Sequence, residues 1–315
     1  MGLCACSLSL GNTGLPNCQP IFSAGTKLII VPTYDADGNL NYIDPADTLN
    51  AAYFSALVNN TDGSLRWYPL PKMKNVTDER GDAKYQEFDD GTKAFIQQGA
   101  RPFVGLIPEG TPQLLGKIEN YRCSEISAFV VDINRNIIGK QISTDGFLYP
   151  IKIDNDSWNP KFVKSTTAGT ISGLMLEFNW DIDEQDSDLR FISANQISIN
   201  LLSLNGLVDA TIEVVSTGQT SMVFRVLTDA GEIGNPVRVK GLAASDFYDT
   251  VGGTASRLYN VTDSSAVTIS ALTEGTGTSE GEYTATYVSQ TVSDVIRVTP
   301  NKAGYSFTAN TGTVV

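Results

Sequence analysis

The chain contains no histidine in 315 residues. Histidine is the side chain that exchanges protons near neutral pH and the commonest metal ligand. Its absence excludes Ser-His-Asp triads, Cys-His dyads and histidine-based metal centres. Positive charge is also scarce: 22 Lys and Arg stand against 35 Asp and Glu, a net charge of -13. Such a chain repels polyphosphate and does not read as an ordinary nucleic-acid binder. Long hydrophobic runs are missing as well. None approaches the roughly 18 apolar residues of a membrane helix, so no membrane span is predicted. The opening has no basic stretch before an apolar one, since the first lysine is Lys27, and export by a secretory signal is not expected. Gly2 followed by Cys at position 6 does not match a myristoylation signal, which has Ser or Thr there.

Cysteine is nearly absent too, yet Cys4, Cys6 and Cys18 crowd the start, with Cys123 standing apart. Four thiolates could hold zinc, but structural sites bring ligands in C-x2-C or C-x4-C pairs, and Cys4-Ala5-Cys6 is tighter. A disulfide from the arm to Cys123 needs an oxidising compartment, to which nothing in the chain points. The reading favoured is small side chains packed beneath an N-terminal arm. Nucleotide motifs are missing: no G-x-x-x-x-G-K-[ST] loop occurs, and TVGGTAS (250–256) reads as a turn.

Acids are what the sequence has in plenty. Asp181, Asp183, Glu184, Asp186 and Asp188 form a run that calcium could favour, but the glycine and spacing of an EF-hand loop are lacking, so it reads as a solvated loop. Asp89-Asp90 and Asp154/Asp156 could serve as paired carboxylates, with Trp67, Trp158 and Trp180 as sugar-stacking faces. Surface acids and a few tryptophans occur in any β protein, and packing is the favoured reading. No catalytic, cofactor-binding or metal-ligating residue is assigned, and no cofactor is expected.

Turn formers fill residues 1–25, which read as an extended arm. TKLIIVPT (26–33) is a buried strand, Asp37-Gly38 a hairpin turn and Asn41–Ile43 its return. Asp44-Pro45 predicts the start of a helix over 45–58, with Leu49, Ala52, Tyr53, Ala56 and Leu57 at helical spacing. A second short helix is predicted from Thr111 to Tyr121. Elsewhere strands are predicted at 64–70, 84–88, 92–98, 102–107, 126–133, 136–143, 147–153, 172–180 and 195–204. Two helices among that many strands predict a mainly β sandwich or barrel.

At Asn205-Gly206 the composition turns to Thr, Ser, Val and Gly with short alternating strands. Roughly 100 residues with about seven such strands is the size of an immunoglobulin-like sandwich. The expected organisation is an arm (1–25), a β domain (26–205), an immunoglobulin-like domain (206–308) and a loose tail (309–315).

RWYPLPKM (66–73), FDDGTKAFIQQGARPFVGLI (88–107), YRCSEISAFVVDINRNIIGK (121–140), GFLYPIKID (146–154) and GLMLEFNWD (173–181) together resemble structural proteins of tailed-bacteriophage virions, most nearly a major tail tube protein. ASDFYDT (244–250), LYNVTDSSAVTISAL (258–272), GEYTATYVS (281–289) and SDVIRVTPNKAGYSF (293–307) look like the immunoglobulin-like domains often appended to phage virion proteins. The resemblance implies a self-assembling subunit rather than an enzyme: rings, typically of six copies, joined through their sheets and stacked into a tube whose acidic channel conducts DNA without binding it. It implies the chain itself as the main partner, with tape measure and sheath or terminator proteins beside it, assembly in the bacterial host cytoplasm and residence in the virion. Open sheet edges, an aggregation hazard elsewhere, would serve assembly. Another virion protein (tail adaptor, decoration or capsid-associated), a cell-surface adhesin or pilin, and a glycan-active protein are the alternative readings.

Overall fold

The structure is a computed structural model that describes residues 23–108, 110–142, 145–164, 172–229, 234, 236–250 and 253–315. In chain order it runs β1 (Gly25–Pro32), α1 (Ala51–Val58), β2 (Tyr68–Pro69), β3 (Lys74–Asp78), β4 (Lys84–Glu87), β5 (Lys93–Gln97), β6 (Pro102–Ile107), α2 (Pro112–Glu119), β7 (Ile126–Asp132), β8 (Ile137–Lys140), β9 (Ile151–Val163), β10 (Gly173–Trp180) and β11 (Leu189–Ile192). It continues with β12 (Val208–Thr217), β13 (Ser221–Thr228), β14 (Val237–Arg238), β15 (Arg257–Asn260), β16 (Ser265–Glu274), β17 (Glu282–Tyr287), β18 (Val295–Val298), β19 (Tyr305–Thr308) and β20 (Asn310–Thr313). The protein is mainly β, and β1–β3 and β6–β11 form one sheet while β12–β20 form another.

β1 and β7 organise the first sheet. Both are continuous apolar runs, and both bury their two faces. Leu28, Ile30, Ala128 and Val130 point into one core, while Ile29, Val31, Phe129 and Val131 point into another. β1 pairs antiparallel with β7, whose start pairs with β9; β9 pairs with β10, β10 with β6 and β6 with β3. The chain entering β3 then comes back to β1, through Leu70 N–H to Leu28 O (2.9 Å) and Met73 N–H to Thr26 O (2.7 Å). The result is a nearly closed, barrel-like sheet. Phe103 stacks on Phe178 inside it (4.9 Å), with Trp158 and Trp180 against Phe178 at 5.4 and 5.0 Å. α1 covers the outer face with Phe54 and Val58 packed near Trp67 and Phe129. α2 closes on Trp158, whose Nε1–H donates to Ile118 O at 2.8 Å.

The second sheet runs β19-β12-β13-β17-β16-β15-β18-β20, with β14 on β13. Only the β12–β19 pair among these is parallel. Phe224, Phe247 and Tyr283 fill its core, and Tyr283 Oη donates to Val239 O at 2.9 Å while accepting from Leu242 N–H at 3.1 Å.

Several expectations change. The helix does not start at Pro45: Asp44 Oδ1 accepts from Ala46 N–H (2.8 Å), which makes 44–47 a turn. α1 starts after Asn50, whose side chain caps Tyr53 N–H at 3.0 Å. The stretch 195–204 is not a strand. Ser193 with Gln196 and then Asn200 cap two short 3-10 turns, which still bury Ile197 and Leu201. Residues 309–315 are not a loose tail: β20 pairs with β18, and Val314 is buried. β9 runs far past residue 153, and the polar strand β3 and the short apolar strand β11 were not expected at all.

Candidate functional site

The acidic run 181–188 is held by cations of the chain itself. Arg80 Nε donates to Asp186 Oδ2 at 2.8 Å, and Arg80 Nη2 donates to Glu184 O at 2.6 Å. Arg101 is bidentate to Asp78 (2.7 Å to each oxygen) and approaches Asp186 at 3.4 Å. Lys140 pairs with Glu184, whose Oε1 also accepts from Lys152 N–H at 3.1 Å, and Lys152 Nζ reaches Asp181 at 3.6 Å. The Arg80 guanidinium holds the Asp186 carboxyl below its usual range, and Arg101 adds to the effect. This loop is therefore a structural ion-pair network. Among the described residues no group of three Cys, Asp or Glu is arranged to hold a metal.

The other sequence candidates separate in space. Trp67, Trp158 and Trp180 are at most 2% exposed, so none offers a face to a sugar. Asp154 Oδ1 accepts from Asp156 N–H at 3.2 Å on β9, while Asp89 and Asp90 sit at the far turn between β4 and β5. Cys123 is exposed and unpaired. Cys4, Cys6 and Cys18 lie outside the described residues, as do positions 251 and 252 of the TVGGTAS turn.

What the network anchors is the β4–β5 hairpin, a two-stranded sheet that pairs with neither large sheet. Its neck is a close backbone approach: Gly81 N–H donates to Ala100 O (2.8 Å), and a Cβ on Gly99 would lie 2.1 Å from Gly81 O. Only glycine fits there. Arg80 and Arg101 flank that neck, and Arg80 Nη1 also donates to Gly99 O at 3.1 Å. The turn Phe88-Asp89-Asp90-Gly91-Thr92 is equally defined. Gly91 takes φ 81°, and Asp90 Oδ1 accepts from Thr92 N–H (2.9 Å) and Oγ1–H (2.6 Å).

Between a clamped neck and a fixed turn, the hairpin exposes large apolar side chains. Tyr85 and Phe95 face each other across the strands as an edge-to-face pair (5.9 Å, 73°), each 57% exposed, with Phe88 at 47% and Ile96 at 57%. Among the described residues neither strand pairs with anything but the other. An isolated two-stranded hairpin is marginal in water, and this one carries exposed large apolar side chains on both faces. Comparison with family models, curated proteins and solved structures found no match. The surface has to be read from its own chemistry.

The hairpin offers unpaired backbone donors and acceptors along its edges, aromatic anchors and a sparse mixture of charges. From the sequence, 84–88 and 92–98 read as ordinary strands. The available signal was that no hydrophobic alternation separates a core face from a solvent face there: all four residues of β4 and all but Ala94 of β5 are exposed.

Proposed function

We propose that the chain is a self-assembling structural subunit, of the kind that builds a phage tail tube, rather than an enzyme. The observation that carries the reading is the β4–β5 hairpin: open-edged and aromatic, it projects from a rigid neck on a nearly closed β barrel. A lone chain gains nothing by exposing Tyr85, Phe88, Phe95 and Ile96, whereas a second chain adding strands or apolar surface would cover them. The net charge of -13 suits a channel along which DNA slides without sticking. In this reading copies join into rings and rings stack, with other tail proteins at the ends, and the product resides in the virion.

The second sheet is proposed as an immunoglobulin-like domain carried by each subunit. Its roughly 100 residues, short antiparallel strands and separate core support that reading. The test of the whole reading is sedimentation velocity across a concentration series. Association to large discrete species is the expected result, and a single monomer boundary at all concentrations would contradict it.

A further inference from the structure

In this acidic chain one surface is locally basic. An open pocket of about 560 Å3 is lined by Lys72 and Lys74 together with Pro71, Met73, Pro108, Ile133 and Leu202. Lys27 lies behind it, 1% exposed, with Nζ donating to the carbonyls of Leu202 and Leu204. Among the described residues no carboxylate pairs with Lys27, Lys72 or Lys74. Two exposed lysines thus stand at the mouth of a pocket with apolar walls, with a third buried behind it, and none of the three is paired with an anion among the described residues.

The complementary group stands elsewhere on the same chain. The β4–β5 turn carries Asp89 and Asp90 beside the half-exposed Phe88, and Asp89 has no ion-pair or hydrogen-bond partner among the described residues. Lys74, the first residue of β3, lines the pocket, whereas Asp78, the last, grips Arg101 in the hairpin neck. Pocket and hairpin therefore leave the barrel from opposite ends of one strand. Used head to tail, such a pair of unlike surfaces joins copies into closed rings or open filaments.

We propose that the Lys27/Lys72/Lys74 pocket is a carboxylate-binding site whose occupant is the Phe88-Asp89-Asp90 hairpin tip of a second copy of this chain. The inference rests on the self-assembly reading and names its contact. Asp89 and Asp90 meet Lys72 and Lys74 at the mouth, Lys27 adds positive charge from beneath, and Phe88 packs on the proline, isoleucine and leucine walls.

The test uses two full-length charge-reversed variants, Lys72→Glu/Lys74→Glu and Asp89→Lys/Asp90→Lys, with folding checked by circular dichroism. All four positions are at the surface, so both variants are expected to fold. Each alone is expected to need at least about tenfold more protein to associate than wild type. An equimolar mixture is expected to recover association, because every tip then meets a pocket of opposite charge. If either variant associates as wild type does, the contact is refuted while self-assembly stands. If both fail and the mixture fails too, the pairing of tip with pocket is refuted. A wild-type chain that stays monomeric refutes both readings.

Discussion

Trp158 shows most clearly what single residues do in this protein. It is fully buried, donates from Nε1 to Ile118 O, and packs between Phe178 and Tyr121, so it ties α2 to the barrel interior. Replacement by alanine removes that volume and the Nε1–H bond that holds the end of α2 to the barrel. A loss of about 3–5 kcal/mol is expected, measured by urea unfolding. Packing was the reading favoured for the tryptophans over a sugar-stacking face, and the burial of Trp158 agrees with it. Titrating groups have an equally specific effect. Burial pushes Lys27 down to about 8, with Lys72 adding to the shift, so the charged form is penalised in the folded state. Burial also pushes Tyr53, Tyr283 and Tyr287 up to about 12. The Lys27 penalty is full below pH 8 and relieved as pH rises towards the ordinary lysine value. The tyrosine contribution is full below about pH 10 and is lost as pH rises through 12. Urea unfolding from pH 7 to 12 is therefore expected to show stability rising between 8 and 10 and falling beyond. In Lys27→Met the rise should be missing; an unchanged rise would remove Lys27 as its source.

Among the elements, the hairpin is where folding and the proposed association are expected to separate. Tyr85→Ser with Phe95→Ser alters only exposed side chains, so unfolding of the remainder is expected to shift by no more than about 0.5 kcal/mol. Self-association should nonetheless fall sharply, as read by light scattering; retained association would place the interface elsewhere. The legibility of elements followed the same division between local and non-local causes. β1, β6, β7 and β10 were readable because their apolar runs or alternations are set by burial. β9 was readable only at its start, within the strand expected at 147–153, because the polar run Asp154-Asn155-Asp156-Ser157 interrupts its alternation. In the fold it is a bulge: Glu177 pairs with Asn159 while Asn179 pairs with Asp154. Ser157 Oγ stitches it, donating to Asp154 O at 2.6 Å and accepting from Asn179 N–H at 2.7 Å. Residues 195–204 misled in the opposite sense, since side-chain caps outcompeted an alternating pattern. The ion pairs of 181–188 were invisible because Arg80 and Arg101 come from about a hundred positions away in sequence.

The whole molecule combines a nearly closed barrel, a second β sheet after residue 207 and a net charge of -13, and it is proposed to be a subunit that meets copies of itself. The mainly β class and the presence of two short helices could be read from the sequence, because they follow from local periodicity, although the first is capped by Asn50 and not by Asp44. The hairpin's isolation and the lysine pocket could not, because both depend on which strands find partners. Electron microscopy of the purified wild-type chain at raised concentration is the most direct test of the central claim. The account expects rings with a central channel, stacking into tubes of constant diameter. A field of single, unassociated particles at every concentration would contradict it.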